Sequence, residues 1–184
     1  MLSKPGNSVF LSCAERDVDA AQQVAEALRA VGVEVWFEPG RTHAADSSAP
    51  SVRQQIRECA LFVPLVSAQT QAQHEGYFRL EWHLAEQRSL SIAKGRAFLM
   101  PVCIDDTMEK EALVPDAFLA VPWWRPIRTV QGLQPESDVT LQQWVAHVQH
   151  CLAQPLLPSR SSASGGASRK PFAPNSPSIP DYEL

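Results

Sequence analysis

Residues 59–66, Cys-Ala-Leu-Phe-Val-Pro-Leu-Val, contain no charged or hydrogen-bonding polar side chain. A strand with one face in water alternates apolar and polar residues, so an unbroken apolar run reads as a strand buried on both faces. Strands covered on both faces belong mostly to parallel sheets, where crossover helices supply the cover. This run therefore constrains the fold class before any motif is considered.

The flanking sequence supplies the partners that such a strand needs. Residues 8–12 form a short apolar run after Pro5-Gly6-Asn7. Residues 17–31 place Val18, Ala21, Val24, Ala25, Leu28 and Val31 at helical spacing, with Asp17 as the expected N-cap and Gly32 as the stop. Residues 33–37 read as a second strand. Strand, helix and strand within thirty residues make a parallel βαβ unit. Residues 38–50 have no period and read as a loop, and 51–58 as a short polar helix. The 59–66 strand is followed by a mostly helical stretch over 67–91, broken at Gly76. Residues 96–104 read as a fourth strand, 105–115 as a polar loop and 118–124 as a fifth strand at an edge, where Pro122 is tolerated. Residues 139–152 form a last amphipathic helix with Leu141, Trp144, Val145, Val148 and Leu152 on one side.

This order implies an α/β fold, a flavodoxin-like doubly wound parallel sheet of about five strands. Right-handed crossovers put helices on both faces. Ligands gather beyond the carboxyl ends of such strands, which points to the loops after Ser12, Phe37 and Val66. The folded domain is expected over residues 8–153. Over 154–184 Pro, Ser, Gly and Ala dominate. That stretch is expected to be a disordered tail or linker remnant, because it cannot bury enough apolar surface to offset its ordering entropy.

Charge and cysteine content exclude several classes. Sixteen basic residues are scattered rather than gathered, and the net charge is -4, so no nucleic-acid partner is expected. Cys13, Cys59, Cys103 and Cys151 lie far apart with no Cys-x-x-Cys pair, as expected of reduced thiols in a reducing compartment. No stretch reaches the ~18 apolar residues of a membrane helix. Val9-Phe10-Leu11 before Ser12-Cys13 is too short for a signal peptide. A cytoplasmic location without membrane attachment is expected.

Few spacings carry chemistry by themselves. Tyr77 and Glu81 are four apart, on one helix face. Spacing alone favours a solvated glutamate beside a half-buried tyrosine, because helical pairs of this kind are common. His147 and Cys151 are also four apart but have no further metal ligands near in sequence, so no metal is expected. His74 and His83 read as surface residues. No glycine-rich phosphate loop is present, which disfavours a dehydrogenase or NTPase. A receiver domain would need an acidic cluster after its first strand, where this chain has Ser12-Cys13.

Five stretches, in order, resemble a bacterial TIR domain. They are Val9-Phe10-Leu11-Ser12-Cys13-Ala14-Glu15-Arg16-Asp17, Val35-Trp36-Phe37-Glu38, Ile56-Arg57-Glu58-Cys59-Ala60-Leu61-Phe62-Val63-Pro64 followed by Ser67, Glu75-Gly76-Tyr77-Phe78-Arg79-Leu80-Glu81-Trp82, and Phe98-Leu99-Met100-Pro101-Val102-Cys103-Ile104-Asp105 with Val114-Pro115 and Trp123-Trp124 beyond. The resemblance covers about residues 8–125 and is weakest over 38–50. There the family commonly carries paired glycines, an Asp and a Trp, and this chain has Ala44, Ala45, Asp46, Ser47 and Ser48.

The resemblance implies an NAD glycohydrolase of defence or signalling, splitting the nicotinamide–ribose bond of NAD as substrate, with no cofactor. The nicotinamide leaves as a neutral molecule, so no general acid is needed for it. Positive charge develops on the ribose, where a carboxylate can stabilise it. Glu81 stands at the position of the family's catalytic glutamate. Tyr77 stands where an aromatic, often Trp, precedes it by four. Ser12, Cys13 and Ala14 are implied to line the site through backbone amides. Trp36, Phe37 and Asp46 are implied to contact the substrate. The implied partners are NAD, a second TIR domain by homotypic self-association, and a fused or separate sensor protein. The alternative implied by the family is a non-catalytic adaptor that signals by self-association.

Overall fold

The computed structural model describes residues 7–37, 51–126 and 140–153. All of them lie within one compact unit of the chain, Met1–Gln154. The loop 38–50 and the stretch 154–184 lie outside the described residues.

The centre is a parallel pair. β1 (Ser8–Ser12) lies beside β3 (Leu61–Val66), with Val9 opposite Leu61 and Ser12 opposite Pro64, and every residue of both strands is buried. β2 (Glu34–Trp36) pairs with the other side of β1, and β4 (Val102–Cys103) with the other side of β3. The sheet order is therefore β2-β1-β3-β4, all parallel.

Alternation along the strands divides the apolar side chains between two layers. Val9, Leu11, Leu61, Val63 and Leu65 meet α1 (Val18–Ala30) and α6 (Leu141–Ala153). Phe10, Phe62 and Val66 point the other way, toward α2 (Val52–Glu58), α4 (Tyr77–Ser89) and α5 (Asp116–Leu119). On that second face Phe10 and Phe62 stack with centroids 5.4 Å apart, and Trp82 packs against Phe78 at 5.1 Å and Phe118 at 5.5 Å. Each such side chain contributes about 1.5–3 kcal/mol by leaving water. The short helix α3 (Ala68–Ala72) follows β3 directly and is capped by Ser67, which accepts from the Thr70 amide.

Two glycines and one arginine set the helix ends. Gly32 has φ +81, the Gly32 amide bonds the Arg29 carbonyl at 3.0 Å, and the Val33 amide bonds the Leu28 carbonyl at 3.1 Å. That is a Schellman close, and it turns the chain into β2. Gly76 precedes α4 with φ +154. At the other end of α4, Arg88 donates through Nη1 to the Ile56 carbonyl at 2.5 Å and the Cys59 carbonyl at 2.7 Å, with its guanidinium 4.3 Å over Phe98. One side chain thus ties α4 to the end of α2 and the start of β3.

Three expectations from the sequence change. The fourth strand does not run through 96–104. It is reduced to β4 and a bridge between Phe62 and Leu99. The cause is Pro64. Phe62 and Val66 both bond toward β4, so residue 64 faces it too, and proline has no amide to give to Met100. The fifth strand shrinks further. Residues 116–119 form α5, and only Trp124 pairs, with its amide bonded to the Pro101 carbonyl at 2.9 Å and its carbonyl accepting from Cys103 at 2.8 Å. The positions two before and two after it, which face the same way, are Pro122 and Pro126. Finally, Asp17 does not cap α1 with its side chain. Its carboxylate instead accepts from the Ser67 hydroxyl at 2.6 Å, fifty residues away.

No helix among the described residues is long and apolar enough to cross a membrane.

The two glycines predict a ranked pair of stability losses. A Cβ at Gly76 would sit 2.9 Å from the Phe78 ring, whereas one at Gly32 meets nothing within 4 Å. Gly32→Ala is expected to cost about 1 kcal/mol through its positive φ alone. Gly76→Ala is expected to cost roughly 2–3 kcal/mol, because ring displacement adds to the strain. Urea unfolding of both variants checks the order, and equal losses would contradict it.

Candidate functional site

A cleft of about 770 Å³ opens beyond the carboxyl ends of β1 and β2. Its position follows from the sheet. Parallel strands deliver their following loops to one edge, and beside the end of β2, an outermost strand, residues of α1, α2 and α4 line the space together with the loops. Cys13 and Ala14, on the connection from β1, form one wall; Trp36 and Phe37 form a second; Tyr77 and Glu81, one turn apart on α4, form a third. Asp46 lies outside the described residues.

Ser12 behaves differently from its expected role as a backbone contact to substrate. It is 1% exposed and lies behind the cleft wall. Its hydroxyl donates to Oε2 of Glu81 at 2.5 Å. A hydrogen bond to a charged group contributes about 1.5–3 kcal/mol, and this one joins the last residue of β1 to the second turn of α4. The carboxylate is thereby held at a fixed place over the sheet edge. Tyr77 is 58% exposed beside it, and Trp36 is half-buried, with its indole nitrogen 3.1 Å from Oε1 of Glu34.

The cleft's charges are unevenly shared. Glu15, Glu75 and Glu81 line it, and Arg29 is the cation among the described lining residues. Arg29 starts from the last turn of α1 and reaches along the free edge of β2. Its Nη2 donates to the carbonyls of Val35 and Phe37, each at 3.2 Å. Those carbonyls are the ones that a further strand would otherwise use, so the guanidinium also blocks edge pairing.

Cys13 is not equipped as a nucleophile. Burial pushes its thiol up to about 12, with the charges of Asp17 and then Glu81 adding to the shift. The thiolate that such chemistry requires is therefore absent near neutral pH. His147 and Cys151 do meet, with Sγ 3.5 Å from Nε2, but no third ligand-type side chain joins them among the described residues.

A second polar cluster lies behind the cleft, at the carboxyl ends of β1, β3 and β4. Besides the Asp17–Ser67 bond, Asp105 accepts from the Ala68 amide at 2.6 Å and the Thr107 hydroxyl at 2.6 Å. Burial raises Asp17 above the ordinary carboxyl range. The Ser67 bond pulls it back, and the nearby charge of Asp105 pushes it up again. Burial also pushes Asp105 upward, but the bonds from Ala68 and Thr107 more than offset this and leave it low.

Arg29 and the Ser12–Glu81 bond are the parts of the site that sequence reasoning missed. Arg29 reaches the cleft only through its length, from a helix end far from the strand termini. No local pattern marks either it or a contact between residues 69 apart.

The model of the TIR domain family matches residues 9–134. No curated protein matches the chain. Among solved structures, a metazoan TIR-STING receptor from C. gigas in complex with 2',3'-cGAMP aligns with a TM-score of 0.55 at 14% identity, over 86% of this chain and 43% of that one. The TIR domains of the activated Roq1 resistosome, which directly recognises the pathogen effector XopQ, align with a TM-score of 0.44 at 17% identity, over 56% of this chain and 60% of that one. The chain thus spans less than two thirds of either relative, and at 14% identity the likeness to the receptor extends to the fold.

The raised Asp17 predicts a pH effect of defined sign. A native carboxyl that holds its proton above the ordinary value of 3.8 makes the folded state bind more protons than the unfolded one. Its contribution to stability is then present at low pH and declines as pH rises through 3.8 to the native value. Asp17→Asn keeps an acceptor for Ser67 and removes the titration. The variant should gain stability relative to the wild type across that window and hold the gain at neutral pH. Melting temperature against pH for both proteins measures it, and a difference that shrinks with rising pH would contradict it.

Proposed function

The chain belongs to the TIR domain family, and on that premise we propose that it cleaves NAD at the bond between nicotinamide and ribose. The observation that carries this reading is the carboxylate of Glu81, pinned by the Ser12 hydroxyl at 2.5 Å on the wall of a cleft large enough for a dinucleotide. Cleavage needs little more than that. The nicotinamide nitrogen is already cationic, so the bonding pair returns to the ring and nicotinamide departs neutral. The ribose carbon becomes cationic, and a fixed carboxylate lowers the energy of that charge. Water then adds to the carbon and releases a proton, which the Glu81 carboxylate accepts in this reading. In this reading Tyr77 and Trp36 offer faces to the flat rings. Arg29, which reaches the described residues Val35 and Phe37 through Nη2, offers its other N–H groups to the pyrophosphate.

One observation favours a second reading. Glu15 and Glu75 share the cleft with Glu81, and three carboxylates repel a pyrophosphate dianion. A non-catalytic adaptor, acting by self-association with other TIR domains and with a sensor, would carry such a lining without penalty.

Incubation of concentrated protein with NAD under crowding, following nicotinamide release, separates the two. The enzyme reading predicts release by the wild type and a loss of about 100-fold or more in Glu81→Ala. No release by the wild type would overturn the enzyme reading and leave the adaptor. Equal release by the variant would overturn the assignment of Glu81.

A further inference from the structure

The cleft crosses the end of the sheet and so borders both of its layers. Leu11, Val35 and Phe37 belong to the α1 layer, and Arg29 reaches the cleft from α1 itself. Phe10 and Phe78 belong to the opposite layer, with Trp36 and Val52 packed against it. Ser12 lies two residues beyond Phe10 on β1, so its side chain takes the same side of the sheet and holds Glu81 there. The two halves of the cleft therefore differ in character. The α1 half carries a cation, which suits a pyrophosphate. The other half sets aromatic and apolar side chains beside the carboxylate, which suits a pyridine ring.

A buried glutamine interrupts the apolar lining of that second half. Val52 and Gln55 are three residues apart on α2, so they share the helix face that borders the cleft. Arg53 and Arg57 take another face of α2 and line a separate groove. Gln54 is exposed, and its amide donates to Glu58 within the helix at 2.9 Å. Gln55 is 8% exposed. Burying a primary amide is costly unless its polar atoms are engaged. Such a group carries two N–H donors and two acceptor lone pairs, enough for the interaction that Gln55 makes within the fold and for a ligand besides.

We propose that Gln55 reads the carboxamide of the nicotinamide ring and so selects the leaving group. The proposal takes its ligand from the NAD-cleavage reading and adds the direction in which the substrate lies. The Gln55 N–H donates to the carboxamide oxygen, and the Gln55 oxygen accepts from the carboxamide N–H. The carboxamide stands on the ring carbon meta to the glycosidic nitrogen. Holding it fixes the rotation of the ring and turns the ribose carbon toward Glu81, while the pyrophosphate runs toward Arg29. A base without the carboxamide N–H loses half of this pairing.

The test compares nicotinamide with 3-acetylpyridine, in which a methyl group replaces the amide NH2. Two measurements are made on the full chain. Titration followed by NMR gives the Kd of each free base without turnover. Initial rates of release from NAD and from its 3-acetylpyridine analogue give the ratio of their kcat/KM values. The wild type is expected to favour the carboxamide by about tenfold in both. Gln55→Met, similar in length but unable to pair, is expected to lower both preferences by about tenfold. Gln55→Glu keeps an acceptor for the carboxamide N–H and is expected to restore the preference. A wild type that binds the two bases equally, a Gln55→Met variant that weakens both ligands in equal proportion, or a Gln55→Glu variant that behaves as Gln55→Met would each overturn the proposal. A carboxamide preference in binding without any release from NAD would support Gln55 and overturn NAD cleavage. Release of nicotinamide with no preference for the carboxamide would do the reverse.

Discussion

Burial of β1 and β3 on both faces is the constraint from which the rest of the structure follows. Nine of their eleven residues are apolar, and the two serines at the ends of β1 are buried with them. A parallel pair covered on both sides requires helices above and below, and each helix must return the chain to the same edge. The loops therefore collect at the carboxyl ends, where the cleft lies. The same arrangement carries Ser12 to the place where α4 passes and lets one hydroxyl position the Glu81 carboxylate. Position along the sheet thus becomes position in the site without any local motif at the cleft.

Much of this was legible because it is local. The unbroken apolar run at 59–66, the helical spacing from Val18, and the stops at Gly32 and Gly76 each depend on neighbours a few residues away. The losses were non-local or turned on a missing donor. Pro64 interrupts the ladder to β4 only because its amide would face that strand, a matter of register that no single stretch reveals. Pro122 and Pro126 reduce the fifth strand to Trp124 for the same reason. Asp17 sits where an N-cap belongs, but a buried serine fifty residues later offers it a better partner than the helix amides.

The candidate site divides in the same way. Cys13, Ala14, Trp36, Phe37, Tyr77 and Glu81 all border the cleft, since each lies at a strand end or on the first turns of α4. What the residues do there depends on contacts across the fold. Ser12 turns out to hold Glu81 rather than to line the cleft, and the Cys13 thiol on the cleft wall is kept protonated. Arg29 enters because an exposed edge strand leaves two carbonyls to be covered. Fold and site are thus tied by a few long hydrogen-bonded reaches, laid over a core set by short-range pattern.

The central claim is that the Ser12 hydroxyl positions the Glu81 carboxylate for work on the ribose. Steady-state kinetics of nicotinamide release by Ser12→Ala and Ser12→Thr test it most directly. The account predicts that alanine lowers kcat by about tenfold or more with KM nearly unchanged, and that threonine, which retains the hydroxyl, restores much of it. An alanine variant with full kcat, or one altered only in KM, would contradict it.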